Sequence, residues 1–258
     1  MTLSIDARLA YNLSQPTDLL LQVELARIAG QTIREDSLST TPVEGFVRVP
    51  AEAALGTRAW MQADGQFQMT YLATVEVTRP DPVFDQLQAP PPRALTGEAT
   101  SFLMPSRYCP SDEFEAFVAD EFGGLTGGPL VAALADWVHE TFTYTPGAST
   151  SATTARESFV QRRGVCRDYA HVLVALARAG GIPARVASAY APDVDPPDFH
   201  MVAEVWLEDA WHLVDATGMS KASELALIGV GRDAADVSFL TSYGLAELVN
   251  QSVKVTRA

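Results

Sequence analysis

Three residues in the second half of the chain have side chains suited to nucleophilic acyl transfer: Cys166, His200 and Asp215. A thiolate is a strong nucleophile, an imidazole can take the thiol proton and later give it to a leaving amine, and a carboxylate can fix the imidazole tautomer and stabilise its charged form. Taken singly, each has a plainer reading as a small buried hydrophobe, a satisfied structural histidine or a strand-end turn residue. The elements that must position them favour the reactive reading.

Cys166 opens the run Gly164-Val165-Cys166-Arg167-Asp168-Tyr169-Ala170-His171 through Ala179-Gly180-Gly181-Ile182-Pro183. A glycine start, an apolar body and a Gly-Gly stop before proline predict one helix with Cys166 in its first turn. Apolar residues lie almost all round that helix, so it is expected inside the core, its N-terminal N–H groups favouring an anion at the sulfur. His200 and Asp215 fall in a second unit, His200 to Thr217, whose turn is read at Glu208-Asp209. A two-residue loop there sets Leu207 opposite Ala210 and Asp215 opposite Val202, which shares a strand face with His200. Asp215 and His200 then become diagonal cross-strand neighbours, roughly 7–8 Å apart at Cα and within side-chain reach.

The other candidates are set aside on position. His171 lies roughly 140° round the helix from Cys166 and points away from it. His212 falls on the opposite strand face from Asp215, and His139 sits at the rim of an apolar helix stripe. Cys109 precedes Pro110 with no helix start to activate it and is read as structural. Trp206 and Trp211 flank the hairpin turn and read as packing.

The remaining chain divides near residue 105. From Thr2 to about Arg79 the apolar residues alternate, as in Leu3-Ser4-Ile5-Asp6-Ala7-Arg8-Leu9, which predicts half-buried antiparallel strands of a sandwich-like β-domain over 1–105. Asp64-Gly65 between two such runs predicts a tight hairpin. Prolines at 80, 82 and 90–92 exclude helix and central strand, leaving a linker or covering loop. Helical signals then begin at Ser111, at Pro129 (ending near Thr141) and at Thr154-x-x-Glu157, the last a capping box. Residues 106–258 are read as the second, chemistry-bearing domain; no role is assigned to 221–258.

Composition bounds the partners. With 258 residues, 47% hydrophobic, and a formal net charge of −14, the chain reads as globular and lacks the clustered Lys/Arg that nucleic acid or an anionic membrane surface requires. Two cysteines and four scattered histidines form neither a disulfide framework nor a zinc pattern, and no cofactor or metal is implied. Neither a signal-peptide pattern nor a long apolar span is present, and a cytoplasmic location is expected by default.

Three blocks in order, Gly164-Val165-Cys166-x-Asp168-Tyr169-Ala170-His171 with Gly181-Ile182-Pro183-Ala184-Arg185, then His200, then Trp211-His212-Leu213-Val214-Asp215-Ala216-Thr217, resemble the transglutaminase-like superfamily. The approach Phe142-Thr143-Tyr144-Thr145-Pro146-Gly147 resembles that of bacterial members. The resemblance spans roughly 110 to 220. It implies a papain-related α+β fold, with a central cysteine-bearing helix against an antiparallel sheet. It also implies Cys166 as nucleophile, His200 as general base and acid, and Asp215 as its orienter. The β-rich first part likewise resembles the N-terminal domain of many bacterial members. Arg167, Met201 and Ala216 depart from the family's frequent glutamine, alanine and proline, which bears on pocket shape and not on the three reactive residues.

The expectation is therefore a cysteine hydrolase acting on peptide or protein amide bonds through an acyl-enzyme. Two alternatives stay open: transfer of a protein-glutamine acyl group to a lysine amine in place of water, as in a true transglutaminase, and a non-catalytic peptide-binding or assembly module.

Overall fold

A computed structural model describes residues 1–258. The chain begins with β1 (Thr2–Leu21), β2 (Gln31–Thr40), β3 (Glu44–Pro50) and β4 (Thr57–Val77). Strict alternation in β1 buries Leu3, Ile5, Ala7, Leu9, Tyr11 and Leu13 on one face, and β4 answers in antiparallel register from Leu3↔Val75 to Leu13↔Gly65. The face so formed is closed on its buried side by Tyr190, Phe199, Ala226 and Ile228 from the second half of the chain.

The hairpin expected at Asp64-Gly65 does not form; β4 runs straight through it. Gly65 has φ +65, and β1 shifts register opposite it, from Leu13↔Gly65 to Thr17↔Ala63. A positive φ serves a bulge as readily as a reversal. Here both flanking runs find the same long partner, so the strand bends and continues.

After β4 the chain runs through the proline-rich stretch and then α1 (Gly97–Ser101), α2 (Glu115–Phe122), α3 (Gly127–Thr141), the short β5 (Thr143–Tyr144), α4 (Ala155–Gln161) and β6 (Arg163–Gly164). The helix expected from Ser111 begins as a 3₁₀ turn and is shorter than three turns. The capping box forms, with the Thr154 N–H donating to Glu157 Oε2 at 2.8 Å.

α5 (Cys166–Ala179) is the centre of the second half. Every residue from Asp168 to Arg178 is buried, and Leu173, Val174 and Leu176 are wholly so. Burial of each such aliphatic side chain contributes about 1.5–3 kcal/mol. The helix stops at Gly180, with Gly181 at φ +77 and the Ile182 N–H returning to Ala177 O at 3.0 Å. α5 packs on an antiparallel sheet made of β7 (Ala184–Tyr190), β8 (His200–Leu207), β9 (Ala210–Val214) and β10 (Ala226–Gly231), in the order β10-β7-β8-β9. The result is an α+β protein with a β-rich part.

Strands from the end of the numbering join the first sheet. β11 (Leu240–Ser242) and β12 (Ala246–Arg257) leave the second half and pair with β1, completing a six-stranded first sheet. β1 needs a hydrogen-bonding neighbour on its second edge, and the chain's last strands supply it.

Candidate active site

Cys166 is the first residue of α5. Its position is set by the entry to the helix. β5 and β6 pair in parallel, and the Thr145 N–H donates to Gly164 O at 2.8 Å. The fully buried Asp168 carboxylate then reaches back to the Val165 N–H at 2.8 Å and accepts the Ser149 hydroxyl at 2.5 Å. Gly164 is needed for close approach: a Cβ there would lie 2.4 Å from Asp168 Oδ2. Gly164→Ala is expected to cost roughly 2–4 kcal/mol, as overpacking plus a lost buried hydrogen bond. An unchanged denaturation midpoint would contradict this reading of the turn.

His200 opens β8, and Asp215 follows the last residue of β9. The turn residues Glu208 and Asp209 both have positive φ (49 and 59). The ladder runs Leu207↔Ala210 to Ala203↔Val214, the register the two-residue turn predicts. His200 Nε2 lies 2.8 Å from Asp215 Oδ2, with side-chain exposures of 0% and 2%. The carboxylate is held in turn by the Thr217 N–H (2.9 Å) and hydroxyl (2.7 Å) on Oδ1 and by the Ser220 N–H (3.0 Å) on Oδ2. Burial opposes its charge, yet the imidazole and Thr217 outweigh that cost and hold the carboxyl below its ordinary range.

His200 Nδ1 is buried and has no hydrogen-bond partner. The thiol of Cys166 lies beside the ring and within 3.9 Å of Phe199 O. Burial pulls the imidazole pKa down, but Asp215 and the neighbouring sulfur more than compensate, so it is raised to about 10. An imidazolium at that position favours negative charge on the sulfur.

Cys166 and His200 share a cleft of about 540 Å³. One wall comes from the segment 234–241, including Phe239, whose ring stacks on Phe199 at 4.7 Å. Gln22, beyond the end of β1, also lines it. The C-terminal segment, to which the sequence assigned no role, thus builds part of the cleft.

The set-aside residues lie elsewhere. Cys109 is fully buried, and burial pushes its thiol up to about 12. His171 stacks on Tyr108 at 5.2 Å, and burial pulls its pKa down to about 4. Its neutral Nε2 accepts the Ala234 N–H at 3.0 Å, which ties the cleft segment to the cysteine helix. His212 bonds to Leu207 O at 3.1 Å, and Trp211 packs between Trp206 and Phe102. His139 is exposed beside Gly218.

Three features escaped the sequence. Tyr144 lies next to Cys166, and burial together with the sulfur raises its pKa. Asp198 lines the cleft two residues before His200. The Asp215-Ala216-Thr217 segment is a tight acceptor turn, signalled only by an Asp with Thr two residues on.

A cysteine at the head of a buried helix, set against an antiparallel sheet that carries a paired histidine and aspartate, defines a thiol-bearing α+β class. Comparison gives the family: the chain belongs to the transglutaminase-like superfamily, whose model matches residues 118–216. That span contains Cys166, His200 and Asp215. A solved structure from Cytophaga hutchinsonii, named as a candidate cysteine protease, is 33% identical with a TM-score of 0.92 over 99% of this chain and 90% of its own. Uncharacterised proteins of Mycobacterium bovis and Mycobacterium tuberculosis are 31% identical over 164 residues, 57% of this chain and 51% of theirs. The chain spans about half the length of these curated relatives.

Proposed function

We propose that this protein is a cysteine hydrolase that cleaves peptide or amide bonds through an acyl-enzyme, with Cys166 as nucleophile, His200 as base and acid, and Asp215 as orienter. The observation that carries the reading is the buried His200–Asp215 pair at 2.8 Å, which leaves Nδ1 unpartnered beside the thiol. The likeness to the Cytophaga protein supports it.

In the proposed sequence the Cys166 sulfur adds to the substrate carbonyl carbon. The negative oxygen that forms is stabilised by backbone N–H groups at the α5 start, each worth about 3 kcal/mol in comparable sites. The imidazolium gives its Nδ1 proton to the leaving nitrogen and the C–N bond breaks; the neutral imidazole then takes a proton from water as that water attacks the thioester, the C–S bond breaks, the acid leaves, and the thiolate–imidazolium pair is restored. Asp215 keeps the Nε2 proton in place throughout, so that Nδ1 faces the chemistry.

An electrophilic cysteine probe is expected to label the wild type at Cys166 and to label His200→Ala about 10²-fold more slowly or worse. Equal labelling of the two would remove His200 from the reading. An acyl donor incubated with and without a labelled primary amine separates the outcomes: release of free acid is expected, and amine incorporation outpacing it would assign transglutamination instead.

A further inference from the structure

The wall of the cleft holds one acidic side chain that acyl transfer does not use. Asp198 Oδ1 accepts the Phe199 N–H at 2.6 Å and the side-chain amide of Gln251 on β12, so the carboxylate is fixed by its own loop and by the first sheet. Its Oδ2 accepts no hydrogen bond from the protein. The arginines of the cleft do not pair with it. Arg167 is committed to Thr150 O at 2.7 Å and to Asp168, and Arg107 lies over the Tyr108 ring at 4.9 Å. Burial pushes the Asp198 carboxyl above its ordinary range, while the Phe199 N–H, Gln251 and His200 pull it back. A half-buried carboxylate with one oxygen unspent interacts with a cation more strongly than an exposed one, because water screens it less.

Resting on the acyl-transfer reading of this site, we propose that Asp198 is a specificity residue that receives an aliphatic primary ammonium of the substrate, on the side where His200 handles the proton. An ammonium offers three donors and fits a single free carboxylate oxygen without the paired geometry a guanidinium requires. The stacked Phe199 and Phe239 beside it give the apolar wall along which a methylene stem can lie. The chain's formal charge of −14 draws cations toward the surface in the same sense. The substrate class is an acyl compound with a lysine-type or α-amino ammonium near the scissile bond.

Small thiol reagents of opposite charge test this directly at the sulfur. Methanethiosulfonates bearing aminoethyl (cationic) or sulfonatoethyl (anionic) groups each transfer their sulfur to the Cys166 thiolate. An S–S bond forms, the S–S bond to the sulfonyl group breaks, and methanesulfinate leaves. Normalised to free cysteine, the cationic reagent is expected to react about 10-fold faster than the anionic one, and Asp198→Asn to lower that ratio about 5-fold, as loss of one nearby charge implies. Asparagine keeps the Oδ1 acceptor for Phe199 and Gln251, so the wall is preserved. A ratio unchanged in Asp198→Asn overturns the proposal. In parallel, paired fluorogenic peptides with a lysine free or Nε-acetylated are compared. Asp198→Asn is expected to raise KM for the free-lysine peptide far more than for its acetylated twin, and equal losses on both would reduce Asp198 to a structural residue. If the reagent ratio shifts but the wild type cleaves no peptide, Asp198 keeps its role in reading charge and the hydrolase reading falls.

Discussion

Cys166→Ala is expected to lower turnover by roughly 10⁴- to 10⁶-fold, the scale on which nucleophile loss acts when the members of a site work as a unit. No second thiol can stand in. Cys109 is the chain's other cysteine, has no solvent exposure, and has its thiol pushed up to about 12. The fold should be nearly indifferent. Cys166 is at the edge of the core at 9% exposure, and removing one sulfur there costs about 1 kcal/mol. Steady-state rates with a thermal melt of the same preparation check both halves. A variant that keeps its melting point and more than a few per cent of its rate would place the nucleophile elsewhere.

Asp215→Asn is expected to cost about 10⁴-fold in turnover, the size of a wrong-tautomer effect. The amide N–H₂ facing His200 would force Nε2 to accept, moving the ring proton to Nδ1 and leaving nothing to receive the thiol's. The pH dependence shifts with it. In the wild type, burial lowers the His200 pKa, and the Asp215 hydrogen bond and Cys166 raise it to about 10. With Asp215 neutralised, burial works against a smaller opposing force, so the midpoint must move to lower pH. Imidazole resonances followed by NMR titration should show a midpoint near 10 in the wild type and a downward shift of at least about two units in the variant. A midpoint that stays in place would break the link between the two residues. Stability carries the same sign: a pKa raised on folding makes the His200 contribution complete below about 6.5, the unfolded value, and lost as pH climbs through about 10.

What the sequence made legible was local. The helix that begins at Cys166 follows from a glycine entry, an apolar body and a Gly-Gly stop. The meeting of His200 with Asp215 follows from counting outward from a two-residue turn. Asp64-Gly65 misleads because a glycine's positive φ is common to a hairpin and a bulge, and only the partner strand decides between them. Pairing of 246–257 with β1 joins strands far apart in sequence, and strand alternation within either run says nothing about its neighbour. Tyr144 and Asp198 have no spacing rule linking them to Cys166; their places come from parallel pairing at Gly164 and from contact with the first sheet.

The return of the last strands to β1 also constrains how the molecule can come into being. A ribosome-bound chain that has emitted β1 to β4 but not yet β12 holds a strand with one bare edge and an oily surface still waiting for Tyr190, Phe199 and Ile228. Closing that edge joins segments far apart in sequence, the kind of late, non-local event that slows folding and invites sticking to other chains. Because the same late segment walls the groove beside the Cys166 thiol, a nascent or truncated chain would carry that sulfur without a finished place for anything to bind.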